Sequence, residues 1–174
     1  SWFRFRGMRS ANLRLRWLSV SLDLGMHLLE TDIVELDSRG LDLGRVPVSG
    51  KAVDYPPGHV VPRHSHPTCQ LIHAVRGVMV VSAQGDQWVV PPTRGLWMPA
   101  REAHGIRMVG DVQVRTVYIR PDASAHLPAG CQVVGISPLL RELILAAIDV
   151  AQPYGPDTRD GRLMRLLLDE VAVL

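Results

Sequence analysis

Between Val60 and Ile119 the chain alternates short apolar runs with polar breaks: QLIHAV, VMVVSA, QWVV, LWMPA, HGIRMV and VQVRTVYI. The runs are rich in Val, Ile, Trp and Thr. Gly- or Pro-containing breaks fall at Arg76-Gly77, Gln84-Gly85-Asp86, Pro91-Pro92 and Gly110-Asp111. Runs this short, bounded by residues that tolerate tight turns, predict antiparallel strands. The earlier stretches Leu28 to Glu35 and Val46 to Tyr55 have the same β-compatible character. After Pro138 the period changes. Arg141, Glu142, Asp149 and Gln152 fall within one arc of roughly 100° on a helical wheel, which leaves the other positions apolar and predicts a helix covered on more than one side. A second helix is expected from about Asp157, capped by Asp or Thr. It carries Arg162, Arg165 and Asp169 on one face and Met164, Leu167, Leu168 and Val171 on the other. Strands first and two helices last predict a mainly β fold, a barrel followed by a C-terminal pair of α-helices.

With 174 residues, 47% of them hydrophobic, the chain suits one compact domain. No apolar run reaches the roughly 18 residues of a membrane span, because Arg and Asp interrupt every long one. No membrane association is expected. Cys69 and Cys131 are too few for a disulfide framework, so a cytoplasmic setting is expected. The charge is unevenly placed. Residues 1–25 hold five Arg against Asp23, whereas residues 26–174 carry 14 positive side chains against 16 acids and have no basic footprint for nucleic acid. Residues 1–25 also lack an uninterrupted apolar core and a small-residue cleavage site, which argues against a signal peptide. They are read as an appended or over-extended start, with Met8 or Met26 as the truer beginning, or else as a basic arm. The division expected is therefore 1–25 basic segment, 26–137 barrel and 138–174 helical hairpin.

The chemistry concentrates in Gly58-His-Val-Val-Pro-Arg-His64-Ser-His66-Pro-Thr-Cys-Gln70-Leu-Ile-His-Ala-Val-Arg-Gly77. His64, His66 and Gln70 share parity, so on extended chain their side chains point to one face, where two imidazoles can share a metal ion. Pro99-Ala-Arg-Glu-Ala-His104 brings a third imidazole from a different strand. Three neutral imidazole nitrogens suit one divalent transition metal (Zn, Ni, Fe, Cu or Mn), with Gln70 as a weak oxygen ligand.

This segment resembles the first motif of the cupin superfamily: Gly58, five residues, His64-x-His66, three residues, Gln70 where Glu is usual, six residues, Gly77. Pro99-x-Arg101-x-x-His104 is similar to the second motif, with Arg101 where Gly is usual and Met108 where an Asn often ends it. The resemblance implies a small jelly-roll barrel with metal at His64, His66 and His104. Gln70 removes a charge that would help hold the cation. Arg101 adds one that either repels a metal or holds a ligand carboxylate. From Tyr55 to Leu174, HSHPTCQLIHAVRGVMVV, then WVVPPTRGLWMPAREAHGIRM and the helical pair, the chain resembles the N-terminal sensor and dimerisation domain of AraC-type transcriptional regulators. In that family a pair of helix-turn-helix units follows, where this chain ends.

The reading that results is a ligand-sensing and dimerisation domain. A small-molecule effector binds in the barrel, DNA is reached only through a region absent from this chain, and two copies form a homodimer. Arg101, Trp88, Trp97, Met79 and Tyr118 are the expected ligand contacts, and Leu140, Leu143, Ile144, Leu167 and Leu168 the expected dimer interface. His27, His59, His73 and His126 are read as non-ligands, and Cys69 as a packed thiol. The alternative is a small metal-dependent cupin enzyme, a dioxygenase or isomerase, with open metal positions for substrate and oxygen. A third reading is a metal-free dimer scaffold.

Overall fold

The computed structural model describes residues 46–124 and 127–173, together with the backbone of Val34 and Glu35. Residues 1–25, most of the strand expected from Leu28, His27, His126 and Leu174 lie outside the described residues. The elements are β1 (Val34–Glu35), β2 (Val48–Tyr55), β3 (Val60–Ser65), β4 (Cys69–Ala83), β5 (Asp86–Val90), β6 (Arg94–Met98), β7 (His104–Ile119), β8 (Gln132–Gly135), α1 (Pro138–Ile148) and α2 (Arg159–Ala172).

Two long antiparallel strands, β4 and β7, form the spine, paired from Cys69↔Ile119 to Ala83↔His104. The first half of β7 takes β3 on its other edge and the second half takes β2. Likewise β4 takes β6 along its first half and β5 along its second, and β8 extends from β6. The spine strands thus pass from one layer into the other, and the inner faces of the layers enclose a barrel core.

The passage falls where the sequence suggests two turns. Arg76-Gly77 and Gly110-Asp111 do not end strands. They are irregularities within β4 and β7, with the register shifting around Arg76 and Val78. Gly77 has φ +79° and Gly110 φ +74°. A Cβ on Gly77 would lie 2.3 Å from the Asp111 carbonyl oxygen, so only glycine lets the strands cross there. The bulge changes which side chains face inward on β4. Ile72 and Ala74 join the barrel core before it, and Met79, Val81 and Ala83 join it afterwards. The Gln84-Gly85 turn is a two-residue hairpin with φ +51° and +79°, as the sequence suggests.

The opposite face of the first layer is covered by the helices. Val48, Cys69, Leu71, Trp97, Val117 and Ile119 share one core with Leu140, Ile144, Met164 and Leu167. α1 starts at the Ser137 cap, whose side chain accepts from the Leu140 N–H at 3.0 Å, with Pro138 in the first turn. α2 starts at Thr158, which accepts from the Gly161 N–H at 3.1 Å. α1 crosses β2 closely, because a Cβ on Gly50 would lie 2.6 Å from the Ala147 backbone. Between the helices, the Tyr154 hydroxyl donates to the Val48 carbonyl at 2.9 Å and accepts from the Val48 N–H at 3.2 Å. Among the described residues no helix is long and apolar enough to cross a membrane.

The expected dimer face is corrected here. Leu140, Ile144 and Leu167 are fully buried and Leu143 nearly so, and the half-buried Leu168 packs on the same core. A helix that looked too apolar for a single barrel surface spends its apolar width on β2, β7 and α2. The apolar side chains left outward on the helices are Leu139, Leu166 and Val173.

Candidate functional site

β3 ends at Ser65 and delivers His64, the loop to β4 carries His66, and β7 opens with His104. Register pairs His64 with His104 across the β3–β7 ladder, so residues forty positions apart in the chain become neighbours. The rings of His64 and His104 are 4.3 Å apart between centroids, His66 and His104 5.2 Å, and His64 and His66 6.0 Å. All three are buried.

Each ring is turned by its own backbone. Nδ1 of His64 lies 2.8 Å from the Pro62 carbonyl, Nδ1 of His66 2.8 Å from that of Thr68, and Nδ1 of His104 2.9 Å from that of Glu102. A carbonyl oxygen can only accept, so each neutral ring carries its proton on Nδ1 and presents a bare Nε2. Such outer-shell bonds are what orient metal-ligating imidazoles. One ligand nitrogen from each ring lies within 4.8 Å of the others. Bonds of about 2.1 Å to a shared ion require separations of at most about 4.2 Å, an adjustment of under about 1 Å. The Nε2 of His104 is fully buried and has no hydrogen-bond partner. Burial holds His104 down to about 4, the Glu102 carbonyl opposing and the charges of His64, His66 and Arg63 reinforcing. His64 is also held below the ordinary histidine value, chiefly by burial. Burial keeps His64 and His104 from protonation, and one nitrogen of each of the three rings lies close to the others, an arrangement suited to a cation.

Gln70 completes the arrangement. Its Oε1 is 2.8 Å from the His66 Nε2, while its Nε2 donates to Thr116 Oγ1 at 3.0 Å and Thr116 in turn donates to the Leu71 carbonyl at 2.8 Å. With the His66 proton on Nδ1, the facing atoms are both acceptors. A cation between them turns that opposition into two ligands, which is the sense in which this site fits a divalent metal.

The remaining expected contacts separate by strand face. Met79 and Trp88 lie in the barrel core. Tyr118 stands edge-on to His66 with centroids 5.3 Å apart, and burial pushes its hydroxyl up to about 12. Trp97 is corrected: it pairs with Leu71, faces the helices, and donates its indole N–H to the Pro128 carbonyl at 2.8 Å. Its neighbour Met98, paired with Gln70, occupies the inward position instead. Arg101 takes φ +64°, the left-handed conformation that explains why glycine is usual there. Its N–H donates to the His66 carbonyl at 2.8 Å and ties the two motif loops together, while its side chain is exposed. The guanidinium that His104 senses is that of Arg63.

His59 is exposed and stacks on Tyr55, and His73 faces away from the triad, its Nδ1 donating to the Arg94 carbonyl at 3.1 Å. Cys69 is a buried free thiol against Ser124, and Cys131 is free, half-buried and in contact with Met98. Sequence reasoning missed Thr116, Met98 and Ser49. Only Thr116 and Met98 had a usable signal, since both follow from register once Gln70 is placed inward.

The architecture is a β-barrel that buries a three-histidine cluster, with a two-helix hairpin packed on an outer face. The family model of the AraC-like ligand binding domain matches residues 49–171, and the chain belongs to that family. It is 31% identical over 110 residues to the HTH-type transcriptional regulator NimR of Escherichia coli (strain K12), covering 63% of this chain and 40% of NimR. The chain therefore spans about two fifths of the length of that relative. A point variant of apo ToxT from Vibrio cholerae strain SCE256 shares the fold with a TM-score of 0.55 at 6% identity, over 72% of this chain and 54% of that one. An RmlC-like cupin from Shewanella frigidimarina NCIMB 400 overlays with a TM-score of 0.40 at 16% identity, over 42% of this chain and 66% of its own.

Proposed function

We propose that this chain is the effector-sensing and dimerisation module of an AraC-type transcriptional regulator, acting in the cytoplasm and reaching DNA through a separate region. A small molecule enters the barrel beside His64, His66 and His104, and its presence changes how α1 and α2 rest on the barrel. A divalent transition metal (Zn, Ni, Fe or Mn) held by the three Nε2 atoms and Gln70 would supply a Lewis-acidic position for an effector oxygen or nitrogen. The observation that carries the reading is the core that Val48, Leu71, Val117 and Ile119 share with Leu140, Ile144, Met164 and Leu167. Close-packed cores transmit small shifts, so an effector that prefers one strand arrangement biases the helices seated on it. Homodimer formation through the outward faces of those helices follows in this reading.

The test is a screen of small molecules by thermal shift, followed by sedimentation of each stabilising complex. A sensor yields at least one compound that raises the melting temperature and alters self-association or amide protection in α1 and α2. Compounds that stabilise the barrel but leave both unchanged overturn the reading. The three bare Nε2 atoms also favour a metal-dependent cupin enzyme. Turnover of a stabilising compound by the Fe-, Ni- or Mn-loaded chain would establish that alternative.

A further inference from the structure

The first layer has an inner face that its chemistry leaves unfinished. Register sets Ser49 beside Tyr118, Tyr118 beside Gln70 and Gln70 beside Met98, so all four share the inner face. One row further, Lys51 stands beside Thr116, itself beside Ile72 of the barrel core. Ser49 is 0% exposed, and its Oγ has no hydrogen-bond partner. A buried hydroxyl with no partner is uncommon, because the bond it made to water in the unfolded chain is not replaced. The Tyr118 hydroxyl likewise makes no hydrogen bond among the described residues, and burial keeps it a neutral donor. Lys51 is the chain's single lysine among nineteen basic residues. It is exposed, two positions along β2 from the buried Ser49, roughly 7 Å, so its ammonium stands at the solvent side of that row. Hydroxyl, phenol and ammonium together offer donors and one positive charge, with no acidic residue in either row.

We infer that Ser49, Tyr118 and Lys51 form an anion subsite that takes the carboxylate of a small organic acid, whose remainder extends toward the His64, His66 and His104 cluster. The inference rests on the sensor reading for its biological meaning, but the subsite stands on its own residues. The carboxylate accepts from Ser49 Oγ and the Tyr118 hydroxyl, and the Lys51 ammonium neutralises it at the edge of β2 that pairs with no strand among the described residues. β2 is also the strand the helices grip, since Val48 is clamped by Tyr154 and Gly50 lies under Ala147. A ligand held by Ser49 therefore sits between the two points of attachment.

The single lysine makes the test direct. Reductive ¹³C-methylation, which preserves the charge, places an NMR probe on Lys51 and on the terminal amine alone. Acetate and benzoate are titrated into the full chain, with acetamide and benzamide as neutral counterparts. The expected result is a saturable shift of the Lys51 signal with at least one carboxylate, at least tenfold weaker with its amide. Ser49→Ala should weaken that carboxylate at least fivefold without lowering the melting temperature. Lys51→Met should abolish carboxylate-dependent thermal stabilisation. No saturable shift with either acid, equal response to the amides, or unchanged stabilisation of Lys51→Met would each overturn the proposal. In the last case Lys51 merely guards an edge strand. If the acids bind as described but leave the helices and self-association unchanged, the sensor reading fails and the subsite stands. If a different compound shifts the helices while the acids do not bind, the subsite fails alone.

Discussion

The Tyr154 hydroxyl holds both backbone groups of Val48, accepting from its N–H and donating to its carbonyl. Val48 opens β2 and is fully buried. Tyr154 lies in the connection between α1 and α2, so one phenol fastens the helical hairpin to the strand that bears Ser49. Tyr154→Phe keeps the ring and removes two hydrogen bonds, leaving the Val48 groups without them. The expected cost is about 1 to 3 kcal/mol, read from urea denaturation. Faster amide exchange at Val48 and Ser49, with α2 still helical by circular dichroism, would locate the loss at the clamp. A change under about 0.3 kcal/mol would show that the helices hold β2 by apolar contact alone.

The histidine cluster makes the metal-free protein acid-sensitive in a defined direction. His104 is held to about 4 in the folded chain and returns to its ordinary value near 6.5 on unfolding. Between those values the unfolded state binds the additional proton, so stability is fully present above about 6.5 and is lost as pH falls toward 4. The span corresponds to about 3 kcal/mol from this group, and the downward shift of His64 acts in the same direction. Urea titrations of metal-free protein at pH 7.5 and 5 measure it. His104→Asn should flatten the dependence, and a wild-type curve flat over that interval would contradict the burial argument.

Gln70 is expected to limit metal affinity through its missing charge. Gln70→Glu places a carboxylate oxygen beside His66 Nε2, while its other oxygen can accept from Thr116 only when that hydroxyl turns its one proton away from the Leu71 carbonyl. The added charge should still tighten uptake of Zn or Ni at least tenfold in competition with a chelator. His104→Ala should lower uptake at least tenfold, whereas His59→Ala should leave it within twofold. Elemental analysis and competition titration check all three. Equal affinity of Gln70→Glu and wild type would exclude Gln70 from the metal's ligands.

Periodicity and motif spacing expose the barrel, the helices and the triad because each leaves a local signature. Thr158 caps α2 where a capping Asp or Thr is expected, and His64, His66 and Gln70 share a face because they share parity. What the sequence hides depends on register between distant segments. Gly77 reads as a turn, yet it is a bulge, since both devices place a positive-φ glycine between apolar runs. That one residue decides which half of β4 faces inward. Trp97 and Met98 are equally suitable pocket residues in sequence, and pairing with Leu71 or Gln70 separates them. The apolar width of α1 reads as a dimer surface because it reflects how much the helix must cover and not what covers it. Arg101 shows the reverse case, where a departure from the usual glycine becomes intelligible once its backbone conformation is known.

That misassigned width sharpens the last prediction, on self-association. Leu140 and Leu167 are fully buried in the protomer, so Leu140→Glu or Leu167→Glu places a charge in the shared core and should unfold the chain, at a cost of about 3 to 5 kcal/mol, without producing a folded monomer. The outward stripe of α2 is instead Arg162, Leu166, Asp169 and Val173, at spacings that return to one helical face. Leu166 is 43% exposed and Val173 78%. If two copies of α2 pair antiparallel about Leu166, positions 162 and 170 would meet across the two-fold axis, with Glu170 turning from the Ser137 hydroxyl that it accepts from within the protomer. Leu166→Glu should therefore leave the melting temperature within about 2 °C and weaken self-association at least tenfold by analytical ultracentrifugation. Exchanging the charges with Arg162→Glu and Glu170→Arg together should restore pairing that either change alone weakens. If Leu166→Glu sediments as wild type at tens of micromolar, α2 is not the interface. Should the unmodified chain be monomeric at that concentration, dimerisation is not a property of this module.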